Sequence, residues 1–512
     1  MDINSEKKIA SDNSDVDSKI GKAEYDRKIA AILAEVDEVA AGGKYSADWE
    51  SLATHPVPEW YKKARFGVFI HWGAYSVPAF INEWYPRLMH YRGNPVYWHH
   101  VKKYGRDFPY LKFIEMFTAP RFSPEEWISA VKGAGARFIM PVAEHHDGYK
   151  MYDSALSRWT TPKQAMHRDV IGELKAEAEK EGLVFTTSSH RAEHFWFLNG
   201  ARTLGYHTPA LDDRNSDLYG PMVNVENKND PVHMQRGERG IVPTEEWLKD
   251  WLAHTAELVK KYRPKALYFD WWVWIKEFRP YMKKFLAYYY NLAETWGEEV
   301  VVEYKSDALM YGAGVYDRER GQLDGFSPEI WQSDTSTAKN SWCHATTNIY
   351  KKPADIAAVM ADVISKNGVF VLNIGPKADG TLAEKDVGIL AELGRWTSAN
   401  AEALFESSPY KRYGEGRRHK AKSFGDNLRY TSRDIRYTYK PSHVYAFVLR
   451  PSKRGVYKLK SFRADRDECG FIIKGVTMNG KEVKWLQTAK ALIVTTPPPE
   501  SDMPVVFDIS ID

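Results

Sequence analysis

Between residues 65 and 404 the chain alternates short apolar runs with amphipathic helical segments, and this alternation constrains the fold more than any other feature. The runs are RFGVFIH (65–71), ARFIMPVAEHH (136–146), LVFTTSSH (183–190), KALYFD (265–270), EEVVVEYK (298–305) and VFVLNIG (369–375). Helical periodicity falls at 123–134, 169–181, 244–262, 276–295, 353–367 and 384–404, and Ser123-Pro124-Glu125-Glu126 is a capping start with proline in the first turn. Strand followed by helix, repeated, implies a parallel sheet with helical crossovers. The number of units predicts an α/β fold of the (β/α)8-like, TIM-type barrel class rather than a doubly wound sheet. No GxGxxG or GxxxxGK[ST] loop occurs, which removes the common nucleotide-binding readings.

The flanks differ. Residues 1–22 are polar and mixed in charge and read as disordered. Residues 23–40 read as a helix ended by Gly42-Gly43, whose apolar positions Ile29, Ile32, Leu33 and Val36 fit packing on this barrel or on a neighbour. After residue 408, short alternating runs separated by turn residues take over, with Asn479-Gly480 as a hairpin signal and Pro497–Pro499 in a loop. The expected divisions are an N-terminal polar segment and helix (1–50), the barrel (51–408) and a small C-terminal β-sandwich (409–512). Net charge is +3 with no long basic block, and no apolar run approaches the ~20 residues of a membrane span. Neither nucleic acid nor membrane is an expected partner. The N-terminus lacks the apolar stretch of a secretory signal, and two cysteines, Cys343 and Cys469, make no disulfide framework. A cytoplasmic protein is expected.

Polar side chains fall where the apolar runs end. His71 follows RFGVFI; Glu144, His145 and His146 follow FIMPVA; His190 follows VFTTSS; Asp270 follows ALYF; Glu303 and Lys305 end VVVEYK. In a barrel all strands point one way, so these ends meet on one rim, where catalytic groups sit. Solvent begins at strand ends, so polar residues belong there anyway, but that does not explain why histidines, tryptophans and carboxylates dominate. Asp270 stands in ALYFDWWVW (266–274), where an unused carboxylate costs free energy; a structural cap on the next loop is the alternative. A carboxylate pair with aromatic and hydroxyl-binding groups around it suits glycoside hydrolysis. Aromatic content of 14% suits sugar stacking, and equally a large core. His145 and His146 are neighbours on an expected strand, so their side chains should diverge, which disfavours a shared metal.

At these residues the chain resembles the α-L-fucosidases of glycoside hydrolase family twenty-nine. The matching pieces are WYKKARFGVFIHWGAYSVPAF (60–80), NEWY (82–85), EHHDGYKMYDS (144–154), YRPKALYFDW (262–271) and NGVFVLNIGPKADGTL (367–382), in the family's order and over roughly residues 55–450. The resemblance implies a retaining, metal-free and cofactor-free exo-hydrolase of fucosylated glycosides, with Asp270 as nucleophile. His71, Glu83, Trp84, His145 and His146 match the family's sugar-binding positions. Tyr268 stands where tryptophan is usual, Lys305 where the family has arginine, and Trp331 matches the tryptophan after the acid/base segment. In GVYDRERGQLDGFSPEIWQ two glutamates qualify as acid/base, Glu319 and Glu329; spacing back from Trp331 favours Glu319, with Glu303 third. Ser188-Ser189-His190 replaces the common Tyr-Tyr-Ser, and Gln332 a common glutamate. The changes at 188–190 and 268 touch the sugar's walls, so a close L-galacto-configured sugar such as L-galactose is an alternative glycone.

Two rival functions follow from the residues. His190-Arg191-Ala192-Glu193-His194 spells H-x-x-E-H, an inverted zinc-peptidase motif that needs both histidines on one helix face. A non-catalytic carbohydrate-binding protein on the same barrel would be marked by loss of one catalytic carboxylate.

Overall fold

The computed structural model describes residues 21–198, 216–220, 242–417, 424–426, 428–465 and 472–512. Residues 1–20 and Cys469 lie outside the described residues.

Eight parallel strands close a barrel: β1 (Phe66–Ile70), β2 (Phe138–Glu144), β3 (Val184–Phe185 continuing as Thr187–Ser189), β4 (Ala266–Phe269), β5 (Val301–Tyr304), β6 (Val315–Asp317), β7 (Trp331–Ser336) and β8 (Gly368–Ile374). Closure comes from β1, which pairs in parallel with β2 on one side and β8 on the other. Six of these strands are the six apolar runs. The other two, β6 and β7, sit where strand–helix alternation lapses, because no long helix separates β5, β6 and β7.

Inside the barrel, Phe69, Phe138, Met140, Val142, Ala266, Tyr268, Val301, Val315, Val369 and Val371 interdigitate over Tyr61, which comes from a short helix, Glu59–Ala64. A Cβ on Gly67 would lie 2.2 Å from the Phe138 ring, so this position is glycine because the ring fills its place. Outside, the covering helices are α2 (Pro124–Gly133), α3 (Val170–Lys180), α4 (Glu245–Tyr262), α5 (Arg279–Trp296), α6 (Pro353–Ser365) and α7 (Glu384–Ala399). Their starts are set by side-chain caps: Ser123 Oγ accepts from Glu126 N at 3.1 Å, Asp169 Oδ1 from Gly172 N at 3.0 Å and Thr244 Oγ1 from Trp247 N at 3.2 Å.

The N-terminal helix α1 (Lys22–Gly42) packs on α4 and α5 of its own barrel. Its Val36 is fully buried in the main core, and its Tyr25 hydroxyl bonds Asp250 on α4. Beyond the barrel, strands β9 (Ser408–Glu415), β10 (Ile435–Lys440), β11 (His443–Val448), β12 (Val456–Leu459), β13 (Ile473–Met478), β14 (Lys481–Glu482), β15 (Lys484–Gln487), β16 (Leu492–Thr495) and β17 (Val505–Ile511) form two antiparallel sheets. Their orders are β9-β10-β11-β17-β13-β14 and β12-β16-β15, enclosing a second core around Tyr437, Phe462 and Phe507. Asn479 (φ 52°) and Gly480 (φ 71°) make the hairpin turn between β13 and β14 as their left-handed preference requires.

Candidate active site

A cavity of about 780 Å³ opens at the C-terminal rim of the barrel, lined by groups from the ends of β1, β2, β3, β4, β5 and β7. At its centre is Asp270, one residue past β4. On a strand alternate residues share a face, so Ala266, Tyr268 and Asp270 all point inward. Asp270 Oδ1 accepts from Lys305 Nζ at 2.8 Å, and Oδ2 from His190 Nδ1 at 3.0 Å, with His146 Nε2 at 3.4 Å. Burial works against ionising this carboxyl, but the Lys305 ammonium and His190 outweigh it and hold it well below the usual carboxylate range. Burial likewise works against the Lys305 ammonium, and Asp270 and Glu319 reverse that, keeping the lysine charged.

Glu319 lies on the loop after β6. Its Oε2 accepts from Trp271 Nε1 at 2.6 Å and from the same Lys305 Nζ that touches Asp270. One nitrogen in contact with both carboxylates keeps their nearer oxygens within two hydrogen-bond lengths. Such closeness suits the ~5–5.5 Å pair of a retaining enzyme better than the ~6.5–9.5 Å pair of an inverting one. Glu329 is exposed and lines no part of the cavity. Glu303 points inward on β5 but lies fully buried below the site beside Tyr61, where burial raises its carboxyl to about 8.

His71, Glu83, Trp84, His145, His146, Tyr268 and Lys305 all line the cavity. Asn373 Oδ1 accepts from His71 Nδ1 at 2.7 Å, which leaves Nε2 as an acceptor toward the cavity. Glu83 Oε2 accepts from Trp342 N at 2.9 Å, and burial raises its carboxyl. Burial pushes His71 and His145 well down and His146 to about 3, so these rings are neutral.

Three expectations need correction. His145 and His146 do not diverge: their ring centroids are 4.2 Å apart and both face the cavity. The strand ends at Glu144, and its register against β3 shifts between Val142 and Glu144, so two-residue alternation no longer governs them. Trp331 does not line the cavity. On β7 Gln332 and Asp334 take the inward positions, so Trp331 faces the helices, and its Nε1 donates to Lys366 O at 3.0 Å. Trp342, with its ring 5.3 Å from that of His71, is one of the indoles of the cavity wall, beside Trp84, Trp271 and Trp274. Glu144, expected on the rim, instead pairs with Arg191 at 2.6 Å and Lys150 at 3.2 Å, facing away from the cavity.

The H-x-x-E-H segment does not form a metal centre. It is a 3-10 turn, Arg191–Glu193, followed by a short helix, His194–Phe197, and the two histidines face different spaces. His190 reaches Asp270, whereas His194 Nδ1 bonds the His146 carbonyl at 2.9 Å and faces a second cavity by α1. Among the described residues, two buried trios could present three ligand atoms to one ion: His71, His145 and His190, and His146, His190 and Asp270. His190 is committed in both, bridging Asp270 and Ser188 Oγ (3.1 Å from Nε2).

Several lining residues had no sugar-site signal in the sequence. Glu193, read only within H-x-x-E-H, and Asp334 are buried carboxyls in the wall; Asp334 Oδ1 and both Glu193 oxygens accept no hydrogen bond within the protein, and Glu193 Oε2 lies 3.7 Å from His146 Nε2. Phe424 comes from the C-terminal region, its N–H donating to Glu319 O at 3.2 Å, so the part after residue 408 contributes to the cavity's rim.

Residues 32–402 match the family model for alpha-L-fucosidase. The human tissue alpha-L-fucosidase is 27% identical over 82% of this chain and 81% of its own length, and the cattle tissue alpha-L-fucosidase 28% identical over 91% and 90%. The crystal structure of the Thermotoga maritima alpha-fucosidase with a mechanism-based inhibitor shares the fold at a TM-score of 0.72, 24% identity, 91% coverage of this chain and 100% of that one. With well over half of its length matched, the chain belongs to the alpha-L-fucosidase family.

Proposed function

We propose that this chain is a retaining exo-glycosidase that releases an α-linked L-fucose, or a close L-galacto-configured sugar, from a glycoside. The observation that carries the reading is the lysine bridge between Asp270 and Glu319 at the end of the barrel. Asp270, ionised by its neighbours, attacks the anomeric carbon. Glu319 in its acid form protonates the departing oxygen, and a glycosyl ester forms on Asp270 through an oxocarbenium-like transition state. Glu319 then takes a proton from water, which attacks the same carbon and frees the sugar and Asp270. Lys305 holds the two carboxyl groups together in space. The neutral rings of His71, His145 and His146, with Glu83, meet the hydroxyls, and Trp84 and Trp342 supply apolar faces.

The test is hydrolysis of para-nitrophenyl α-L-fucoside without added metal, following by NMR which anomer of the sugar appears first. Release of the α anomer, lost in Asp270→Ala, supports the reading. Release of the β anomer, or turnover that survives the substitution, overturns it.

A further inference from the structure

Within the cavity Phe69 packs edge-on against Tyr268 (centroids 5.2 Å), with His71 at 4.5 Å, His190 at 6.1 Å and Trp342 at 6.4 Å from Phe69, so these rings wall a recess beside Asp270. Into this recess the inward parity of β7 brings Asp334. Its Oδ2 accepts from the Tyr268 hydroxyl at 3.1 Å; its Oδ1 is buried, belongs to a residue 1% exposed, and meets no donor within the protein. A buried carboxyl oxygen without a partner is costly unless a ligand completes it.

A pyranose of L-galacto configuration has hydroxyls on C2, C3 and C4 and a carbon substituent on C5. An aromatic-walled recess suits the carbon substituent. In L-fucose that substituent is a methyl, which would cover Asp334 Oδ1 and offer it nothing. In L-galactose it is a hydroxymethyl: the carbon sits between the rings and the hydroxyl reaches the carboxyl.

We propose that Asp334, held by Tyr268 at the floor of the Phe69–Trp342 recess, is a specificity-determining residue that takes the C6 hydroxyl of an α-L-galactosyl unit, making the 6-hydroxylated sugar the preferred glycone over the 6-deoxy one. This rests on the reading of the Asp270 cavity as the glycone site. The contrast is of the kind a binding site makes well: a pocket built to bond a hydroxyl rejects the analogue that lacks it far more strongly than an apolar pocket rejects an added one.

The test compares kcat/KM on para-nitrophenyl α-L-galactoside and para-nitrophenyl α-L-fucoside, which differ by the C6 oxygen alone, for the parent, Asp334→Ala and Asp334→Asn. The parent is expected to favour the galactoside at least ~10-fold. Asp334→Ala should reduce the galactoside-to-fucoside ratio at least ~10-fold, and Asp334→Asn, which still bonds a hydroxyl, should restore most of it. A parent that hydrolyses the fucoside as well as the galactoside overturns the proposal while leaving the glycosidase reading standing. So does an Asp334→Ala variant whose ratio is unmoved, which would show Asp334 acting through Lys305 or Tyr268 alone. If neither glycoside is hydrolysed, the glycosidase reading fails separately, and calorimetry with free L-galactose and L-fucose decides the recess: tighter L-galactose binding, lost in Asp334→Ala, supports it, and equal or absent binding overturns it.

Discussion

Lys305→Met is the perturbation that most directly tests the electrostatics of the site. The ammonium sits 2.8 Å from Asp270 Oδ1, is also bonded to Glu319, and is itself buried. An opposite charge at this range lowers a carboxyl pKa by ~1–3 units, and each unit corresponds to ~1.4 kcal/mol. Methionine keeps the stem's volume and removes the charge. Two carboxyl groups then face each other across an apolar gap with His190 and His146 as the remaining neighbours of Asp270, and the Asp270 carboxyl rises. The nucleophile must be ionised to attack, so the acid limb of kcat/KM against para-nitrophenyl α-L-fucoside, followed from about pH 3 to about pH 9, should move up by ~1–3 pH units. Stability should change its pH dependence too. In the parent, the depressed Asp270 pKa contributes stability above the unfolded value of ~3.9 and loses it as pH falls through the folded value. In the variant a raised folded pKa contributes stability at low pH and loses it as pH rises. The gap in Tm between the two proteins should therefore widen from pH ~5 to pH ~8, toward the ~3–5 kcal/mol cost of stranding one member of a buried ion pair. An acid limb that stays in place, or a Tm gap that is the same at both pH values, would refute the assignment of Lys305 as the group that ionises Asp270.

Other substitutions separate neighbouring roles. Glu319→Ala should slow substrates with poor leaving groups most, with azide restoring turnover as the glycosyl azide, while Glu329→Ala, on an exposed loop outside the cavity, should stay within about twofold of the parent. Trp342→Ala should lower kcat/KM at least ~10-fold by opening the sugar's wall, whereas Trp331→Phe should change kcat/KM little and cost ~1 kcal/mol of stability through the lost bond to Lys366 O. Glu303, raised by burial to about 8, makes the parent lose ~1.4 kcal/mol per pH unit as pH rises from its unfolded value of ~4.3 toward that figure. Glu303→Gln removes the titration, so the variant's Tm should fall less than the parent's between pH ~5 and pH ~8.

What the sequence made legible follows from what each segment buries. Runs such as GVFI and FVLNI bury both faces, so they announce themselves as strands by continuous apolarity. β7 is also buried throughout, but its sequence is WQSDTS, because its inward side chains meet Tyr61, Asp317 and Tyr268 by hydrogen bonds. A strand buried in a polar interior carries no hydrophobic period, and it stayed hidden together with Asp334. Trp331 marked the right segment of chain while pointing the wrong way, since one residue of parity turns a strand side chain from cavity to helices. Asp270, His71 and Lys305 were readable because each ends an apolar run whose direction the barrel fixes. Trp342 and Phe424 were not, because loops carry them and their places depend on distant partners: Asn373 Nδ2 bonds Trp342 O at 2.5 Å, and Phe424 N bonds Glu319 O.

The charge state of the cavity narrows the substrate independently of any one contact. Burial leaves His71, His145 and His146 neutral and raises Glu83 and Glu193 toward their protonated forms, with Asp270 reinforcing the effect on Glu193. Burial brings Asp334 to about 7, with Lys305 opposing and Glu319 adding to the rise. Asp270 and Lys305 are held charged, and they cancel. The wall is thus an array of hydrogen-bonding groups with little field to attract or repel an ion, which suits a neutral sugar. A uronic acid or a sulfated sugar would bring a charge that Lys305 could meet only by giving up Asp270, and releasing that carboxylate from its cation would raise the pKa of the proposed nucleophile. Binding an anionic glycone and activating the nucleophile are therefore in conflict within this cavity, and the lysine bridge resolves the conflict in favour of catalysis on a neutral one.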